Sequence, residues 1–229
     1  EKHHVIAAVP YSEGKWKSTT SSLLYHILKE NNVKCVLLGN IGKPAFDALD
    51  QIDEETRIVY ELSCHQLEYV RYAPHIGVLL NIHEEHLDHY GTYEKYIQAK
   101  ENIWRMQKAE DLLVCEKTLI QADMCAKVIS ASMEDAQADI YAQKDQLRLL
   151  EETLVLNPEQ TPLLGHHNRY DIGVDLYIAH MLGISYEASL QALASFEPLP
   201  HRLQYVGYYH HLHWYDDSIS TICETTIQA

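Results

Sequence analysis

The sequence predicts an α/β fold in which a doubly wound, mostly parallel sheet is followed by the beginning of a second α/β domain. Short apolar runs bounded by turn residues recur along the first half of the chain, as is typical of buried parallel strands. Helical patterns separate these runs, and parallel strands need such crossover connections. A proline-rich break at 196–200 ends the pattern. We predict one domain at 1–196 and, at 197–229, a linker and the start of another, since so short a segment cannot form its own core.

Strands and helices are predicted to alternate along the chain. The predicted strands are 5–9, 35–38, 57–62, 76–81, 112–115 and 127–129, with a short helix between the last two. The predicted helices are 17–30, 44–49 with Pro44 in its first turn, 93–107 with Thr92 as cap, 168–182 with Asn168 as cap, and 186–194. Residues 131–160 are expected to form a small antiparallel excursion, and 203–208 and 212–215 two strands before a helix near Ser220.

Composition excludes several classes of function. The chain has 229 residues with 18 basic and 33 acidic side chains, a formal charge of −15, and no basic run, which argues against a nucleic-acid partner. No apolar run approaches the roughly 18 residues of a membrane helix, and the start of the sequence does not resemble a signal peptide, so we expect no membrane association. Five scattered cysteines without a CxxC pair are typical of thiols in a reducing cytoplasm, where we expect the protein to reside.

The segment GKWKSTT at 14–20 lies between a predicted strand and a predicted helix. Exposed N–H groups at a helix start suit a phosphate, Lys17 adds a positive charge, and Ser18 or Thr19 can reach Mg²⁺. The alternative is an ordinary capped helix that carries a lysine. The segment alone does not decide between the two.

Ligands of parallel α/β sheets bind beyond the carboxyl ends of the strands. The turns after Val9, Leu38, Glu61 and Asn81 are therefore expected to share one crevice. Glu61 would point into that crevice and could ligate Mg²⁺ through its carboxylate. The alternative for Glu61 is an ordinary surface glutamate.

The segment NIHEEHLDH at 81–89 is dense in groups that can bind metals. His83 and His86 could form a zinc pair, and a plain metal-binding domain is one alternative function, but no cysteine lies close in sequence to complete a familiar ligand spacing. By pattern alone, Lys100 is a solvated lysine of the helix that follows.

In their order along the chain, these motifs resemble those of the Mur ligases, the ATP-dependent ligases that form amide bonds in peptidoglycan synthesis. The motifs are KSTT at 17–20, GNIG at 39–42, ELS at 61–63, QLE at 66–68, NIHEEHLD at 81–88, YIQAK at 96–100, GHHN at 165–168, HRL at 201–203 and DS at 217–218. The resemblance implies that 1–196 is the P-loop-like central ATP-binding domain. It implies that 197–229 begins a C-terminal ligase domain that is mostly absent.

The resemblance also implies roles for particular residues. The catalytic set would be Lys17, Glu61, His86 and Lys100, with Lys100 often carbamylated in the family. The ATP contacts would be Gly14, Lys15, Lys17, Ser18, Thr19, Asn168, Arg202 and Asp217. The ligands of two Mg²⁺ ions would be Ser18, Thr19, Glu61, His86 and Lys100. Asn40 and Ser63 would lie near the substrate.

The implied reaction is the addition of D-glutamate to UDP-N-acetylmuramoyl-L-alanine through an acyl phosphate, with ATP and Mg²⁺ as cofactors and a monomer as the active unit. A folylpolyglutamate synthase-type ligase is one alternative. A degenerate, non-catalytic nucleotide-binding domain is another, because Glu13 and Trp16 stand where the family carries loop glycines, and Asp171 stands where an asparagine is common. We expect the fragment alone not to ligate, because the domains for the other substrates are missing.

Overall fold

The computed structural model describes residues 5–9, 17–82, 84–143, 146–157, 161–163 and 165–218, without the side chains of Val9 and Lys17. The strands are β1 Val5–Val9, β2 Cys35–Gly39, β3 Arg57–Glu61, β4 Ile76–Leu79, β5 Leu112–Glu116, β6 Lys127–Ser132, β7 Ile140–Ala142, β8 Gln146–Leu149, β9 Glu152–Val155, β10 Gln204–Tyr209 and β11 Leu212–Asp216. The α-helices are α1 Lys17–Glu30, α2 Cys64–Leu67, α3 Leu87–Tyr90, α4 Tyr93–Glu101, α5 His166–Met181 and α6 Tyr186–Ala194. Two 3₁₀ helices span Ala45–Gln51 and Lys117–Leu119.

In the described part of the chain, nine strands form one sheet in the order β2-β3-β1-β4-β5-β6-β7-β8-β9. Pairing is parallel from β2 to β7 and antiparallel from β7 to β9, so the predicted fold class and the antiparallel excursion are both confirmed. β10 and β11 form a separate antiparallel hairpin. Because β2, β3, β1 and β4 are parallel neighbours, the described turns after β2, β3 and β4 lie at one edge of the sheet.

Helices cover both faces of the sheet. Ile6 and Ala8 pack with α1, α5 and α6 in one core, whereas Ala7, between them in β1, packs with α2 and α4 in another. This alternation follows from the two-residue repeat of a strand. Each large apolar side chain buried in these layers contributes about 1.5–3 kcal/mol to the free energy of unfolding.

Several predicted boundaries were wrong for local reasons. The helix after Pro44 is a 3₁₀ helix, with Pro44 just before its first residue. α4 ends at Glu101 rather than near residue 107, and the Asn102 side chain donates a hydrogen bond to the Leu67 carbonyl at 3.1 Å. Asn168 does not cap α5: the helix begins at His166, after Gly165 at φ +92°. Thr92 does cap α4, accepting a hydrogen bond from the Lys95 N–H.

The predicted helix near Ser220 lies outside the described residues. Among the residues that are described, no helix is both long enough and apolar enough to cross a membrane.

Candidate functional site

Glu61, the last residue of β3, is the centre of a polar cluster at the carboxyl edge of the sheet. Its side chain is 0% exposed. Glu61 Oε1 accepts a hydrogen bond from Asn40 Nδ2 at 3.2 Å and another from Ser18 Oγ at 3.5 Å. Asn40, which follows β2, and Ser18, in the first turn of α1, therefore meet at the carboxylate that ends β3. The surface-glutamate alternative for Glu61 is wrong.

The turn after β2 fixes the position of Asn40. The Asn40 N–H donates to the Glu61 carbonyl at 3.0 Å, and the Gly39 N–H donates to the Lys43 carbonyl at 3.2 Å. Gly39 has φ +105°, and a Cβ there would lie 2.1 Å from the Glu61 carbonyl oxygen. Only glycine tolerates both the backbone angle and the close approach, so the sequence GN at 39–40 is what allows the Asn40 amide to reach Glu61.

Arg202 supplies positive charge to this cluster. Its Nη2 donates a hydrogen bond to Ser18 Oγ at 3.0 Å. Burial lowers the pKa of Arg202, and the neighbouring carboxylates of Glu61, Asp171 and Asp217 oppose that shift. The Leu203 N–H in turn donates to Asp217 Oδ1 at 3.1 Å, which ties the β10–β11 hairpin to the same place.

α5 brings two further acids into the interior. Asp171 and Asp175, one helical turn apart, are both fully buried. Burial raises the pKa of Asp171 well above its usual value, opposed by the Thr20 hydroxyl and by Arg202. Burial and the charge of Asp171 raise the pKa of Asp175. Burial and mutual repulsion therefore disfavour the simultaneous ionisation of Asp171 and Asp175.

His86 and Lys100 converge on the ring of Tyr96. Lys100 is 1% exposed, and its Nζ lies 5.0 Å from the Tyr96 ring centroid. The ring centroids of His86 and Tyr96 are 6.1 Å apart. The expectation of a solvated lysine is thus wrong, because α4 turns Lys100 inward against an aromatic side chain.

Sequence reasoning missed two residues in the turn after β3. Cys64 and His65 lie beside His86, and the ring centroids of His65 and His86 are 4.9 Å apart. The available signal was their position three and four residues after Glu61, at the edge where the neighbouring turns meet. His83, the expected zinc partner of His86, lies outside the described residues.

Three of the remaining predicted site residues lie at the starts of helices. Ser63 caps α2, accepting from the Gln66 N–H at 3.3 Å while Gln66 Oε1 accepts from the Ser63 N–H at 2.8 Å. Thr19 and Asn168 are buried in the first turns of α1 and α5. Gly14, Lys15 and the side chain of Lys17 lie outside the described residues.

The arrangement suits a hard cation and an anion together. The Glu61 carboxylate and the Ser18 hydroxyl are the oxygen donors that Mg²⁺ prefers, and the first turn of α1 and Arg202 offer positive potential for phosphate. The domain thus belongs to the class of parallel α/β domains, whose ligands bind beyond the carboxyl ends of the strands.

Residues 12–174 match the family model described as the Mur ligase middle domain. The chain belongs to the Mur ligase family. It is 33% identical over 221 residues to the UDP-N-acetylmuramoylalanine--D-glutamate ligase of Staphylococcus carnosus. The aligned region covers 94% of this chain and 49% of the relative. The ligase of the same name from Staphylococcus haemolyticus is 32% identical over the same shares. The chain thus spans about half the length of the curated relatives it matches.

Solved structures share the fold. The MurF ligase of Thermotoga maritima in complex with ADP superposes with a TM-score of 0.75 at 19% identity, covering 99% of this chain and 56% of that one. A UDP-N-acetylmuramoyl-L-alanyl-D-glutamate--2,6-diaminopimelate ligase gives a TM-score of 0.71 at 23% identity, covering 90% and 49%. These similarities establish the architecture.

Proposed function

We propose that the whole protein is an ATP-dependent carbon–nitrogen ligase of peptidoglycan precursor synthesis, adding D-glutamate to UDP-N-acetylmuramoyl-L-alanine. The observation that carries the proposal is the convergence of Ser18, Asn40 and Arg202 around the buried carboxylate of Glu61. The substrate assignment rests on the names of relatives that are 32–33% identical over 94% of the chain.

Glu61, with Ser18 or Thr19, would hold one Mg²⁺. The fit is supported by the full burial of the carboxylate, 3.5 Å from a hydroxyl. When bound, the ion supplies positive charge against the phosphate oxygens. Gly14 and Lys15, which precede α1 in the sequence, and Lys17, its first residue, would hold the phosphates together with Arg202.

A second position for Mg²⁺ is proposed at His86 and Lys100. A carbamate on Lys100 would replace a cation by an oxygen ligand, at a buried position beside Tyr96. Asn168 and Asp217 would contact the base and the ribose of ATP. Asn40 would lie near the acyl end of the substrate. Ser63, the N-cap of α2, would also lie near the substrate.

The reaction consists of two bond exchanges. The substrate carboxylate attacks the γ-phosphorus of ATP, giving an acyl phosphate and ADP, and the amine of D-glutamate then displaces inorganic phosphate to form the amide. Arg202 and Lys17 would stabilise the charge of the transferring phosphoryl group, and Asn40 would orient the acyl end. We propose a cytoplasmic monomer with the domain boundary at residues 196–197.

The test is product formation by the full-length protein. With ATP, Mg²⁺, UDP-N-acetylmuramoyl-L-alanine and D-glutamate, mass spectrometry should detect the D-glutamyl product, and phosphate release should depend on both substrates. The chain of 229 residues is expected to give none. Product with another amino acid, and none with D-glutamate, would contradict the substrate assignment. No product with any amino acid would contradict the ligase assignment.

A non-catalytic nucleotide-binding domain is the second candidate, favoured by Glu13 and Trp16, which precede α1 in the sequence. A carboxylate and a bulky ring oppose close approach of a phosphate. Restoring glycine at both positions separates the two functions. A large gain in affinity for ATP would favour a degenerate domain, and an unchanged affinity would favour a loop that follows another path.

A further inference from the structure

Three metal-ligating side chains meet between the turns after β3 and β4. Cys64 and His65 begin α2, and His86 immediately precedes α3. One potential ligand atom from each residue lies within 4.8 Å of the other two. The chain segments are about twenty residues apart in sequence, so only the parallel pairing of β3, β1 and β4 brings them together.

The spacing of the Cys64 and His65 ligand atoms matches that of a tetrahedral metal site. With a metal–sulfur distance of about 2.3 Å and a metal–nitrogen distance of about 2.0–2.1 Å, a tetrahedral zinc site separates sulfur from nitrogen by about 3.6 Å. Cys64 Sγ and His65 Nδ1 are 3.5 Å apart. The ligand atoms of all three residues lie within 4.8 Å of one another, wider than the tetrahedral separation, so binding an ion would draw them closer together.

The surroundings hold the donors in place. The Ser63–Gln66 capping box fixes the first turn of α2, and Cys64 is 2% exposed. His86 has the left-handed backbone angle φ +54°, which is uncommon for a residue with a side chain and is typical of functional positions. His65 and His86 are only partly buried, so the three donors are not sealed from solvent.

We propose that Cys64, His65 and His86 form a binding site for a thiophilic, tetrahedral divalent ion, best matched by Zn²⁺, whose fourth position is open to water. Sulfur and nitrogen donors select such ions, whereas Mg²⁺ takes oxygen ligands. Binding forms a metal–thiolate bond at Cys64 and releases the thiol proton to solvent. The site uses two residues that the proposed ligase chemistry does not, and it shares His86 with the second magnesium position.

Cobalt is the probe that distinguishes this site. Titration of Co²⁺ into the nucleotide-free protein is expected to give the near-ultraviolet thiolate-to-cobalt absorption and the visible bands of tetrahedral Co²⁺, saturating at one ion per chain and abolished by excess Zn²⁺. Cys64→Ser is expected to remove the thiolate band. Cys125→Ser is the matched control, because Cys125 is an exposed cysteine elsewhere in the fold, and it should leave the band intact.

A second variant keeps the test independent of folding. His65→Gln, at a partly exposed position, should weaken Co²⁺ binding at least about tenfold while circular dichroism stays unchanged. Absence of the thiolate band in the unmodified protein, or its persistence in Cys64→Ser, would overturn the proposal, as would unchanged affinity in His65→Gln. Because no nucleotide or ligase substrate is present, failure of this test and failure of the ligase assay are separate results.

Discussion

The Arg202 guanidinium donates a hydrogen bond to the Ser18 hydroxyl at 3.0 Å, although 184 residues separate the two in sequence. Ser18 belongs to the first turn of α1, and Arg202 precedes the β10–β11 hairpin. Ser18 also contacts the buried Glu61 carboxylate, so the Arg202 guanidinium lies close to that carboxylate. The Arg202–Ser18 hydrogen bond therefore joins the two ends of the described chain at the candidate site.

Arg202→Ala is expected to lower the free energy of unfolding by about 1–2 kcal/mol. The substitution removes a charged hydrogen bond and leaves Glu61 and Asp171 without its compensating charge. Chemical denaturation measures the change. Arg71→Ala, at an exposed arginine, serves as control and should change the stability by less than about 0.5 kcal/mol. Equal effects of the two substitutions would contradict the account of Arg202.

Gly39→Ala is expected to destabilise the protein by more than about 2 kcal/mol, because the new Cβ would lie 2.1 Å from the Glu61 carbonyl oxygen. Gly183 is a matched control. It also has a positive φ, +93°, but a Cβ there meets nothing within 4 Å. Gly183→Ala should cost only the backbone strain, about 1 kcal/mol. Thermal unfolding measures the loss of stability in both variants. A similar loss in the two would show that the close approach at Gly39 is unimportant.

Asp175→Asn is expected to stabilise the protein at neutral pH. Burial and Asp171 raise the pKa of Asp175 in the folded state, so the folded protein binds the proton more tightly than the unfolded chain does. The free energy of unfolding therefore falls as pH rises above the unfolded pKa of about 4. Asparagine removes that dependence, and a gain of at least about 1 kcal/mol is expected near pH 7.5, with little difference near pH 4.

Urea denaturation across this pH range measures the effect of Asp175→Asn. Neither carboxylate oxygen of Asp175 has a hydrogen-bond partner among the described residues, so the substitution removes no bond that they make. Asp123→Asn, at an exposed aspartate, is the control and should leave the pH profile unchanged. A gain for Asp175→Asn that is the same at both ends of the range would rule out ionisation as its cause.

Glu61→Gln is expected to weaken binding of a non-hydrolysable ATP analogue in the presence of Mg²⁺ at least about tenfold, since an ionic contact contributes about 1.5–3 kcal/mol. Isothermal titration of the full-length protein measures the affinity. Glu116→Gln removes another buried strand-end carboxylate, one that accepts a hydrogen bond from the Tyr170 hydroxyl at 2.8 Å. This control should stay within about twofold, and equal losses in both variants would refute a specific role for Glu61.

Much of the fold is predictable from the sequence because it depends on short-range patterns. The apolar run at 5–9 becomes β1, and Leu23, Leu24, Ile27 and Leu28 form the buried face of α1 as their spacing predicts. Boundaries were harder to place, because tertiary contacts decide them. The bond from the Asn102 amide to the Leu67 carbonyl at the end of α4 links residues 35 positions apart.

The candidate site was predictable where it follows from topology. Parallel strands place their turns at one edge, so the meeting of Ser18, Asn40 and Glu61 was expected. The proximity of Cys64 to His86 was not expected, because no cysteine lies close to His83 or His86 in the sequence. The burial of Asp175 was also not predictable from the sequence, because an acid within a helical pattern is usually solvent-exposed. It is buried here because α1 and α6 cover α5.

Anomalous diffraction from Mn²⁺ tests the central claim most directly, in crystals of the full-length protein grown with an ATP analogue. The account predicts a manganese peak about 2.1 Å from a Glu61 carboxylate oxygen, with the triphosphate between the start of α1 and Arg202. A nucleotide and metal bound elsewhere, with Glu61 still hydrogen-bonded to Ser18 and Asn40, would contradict it.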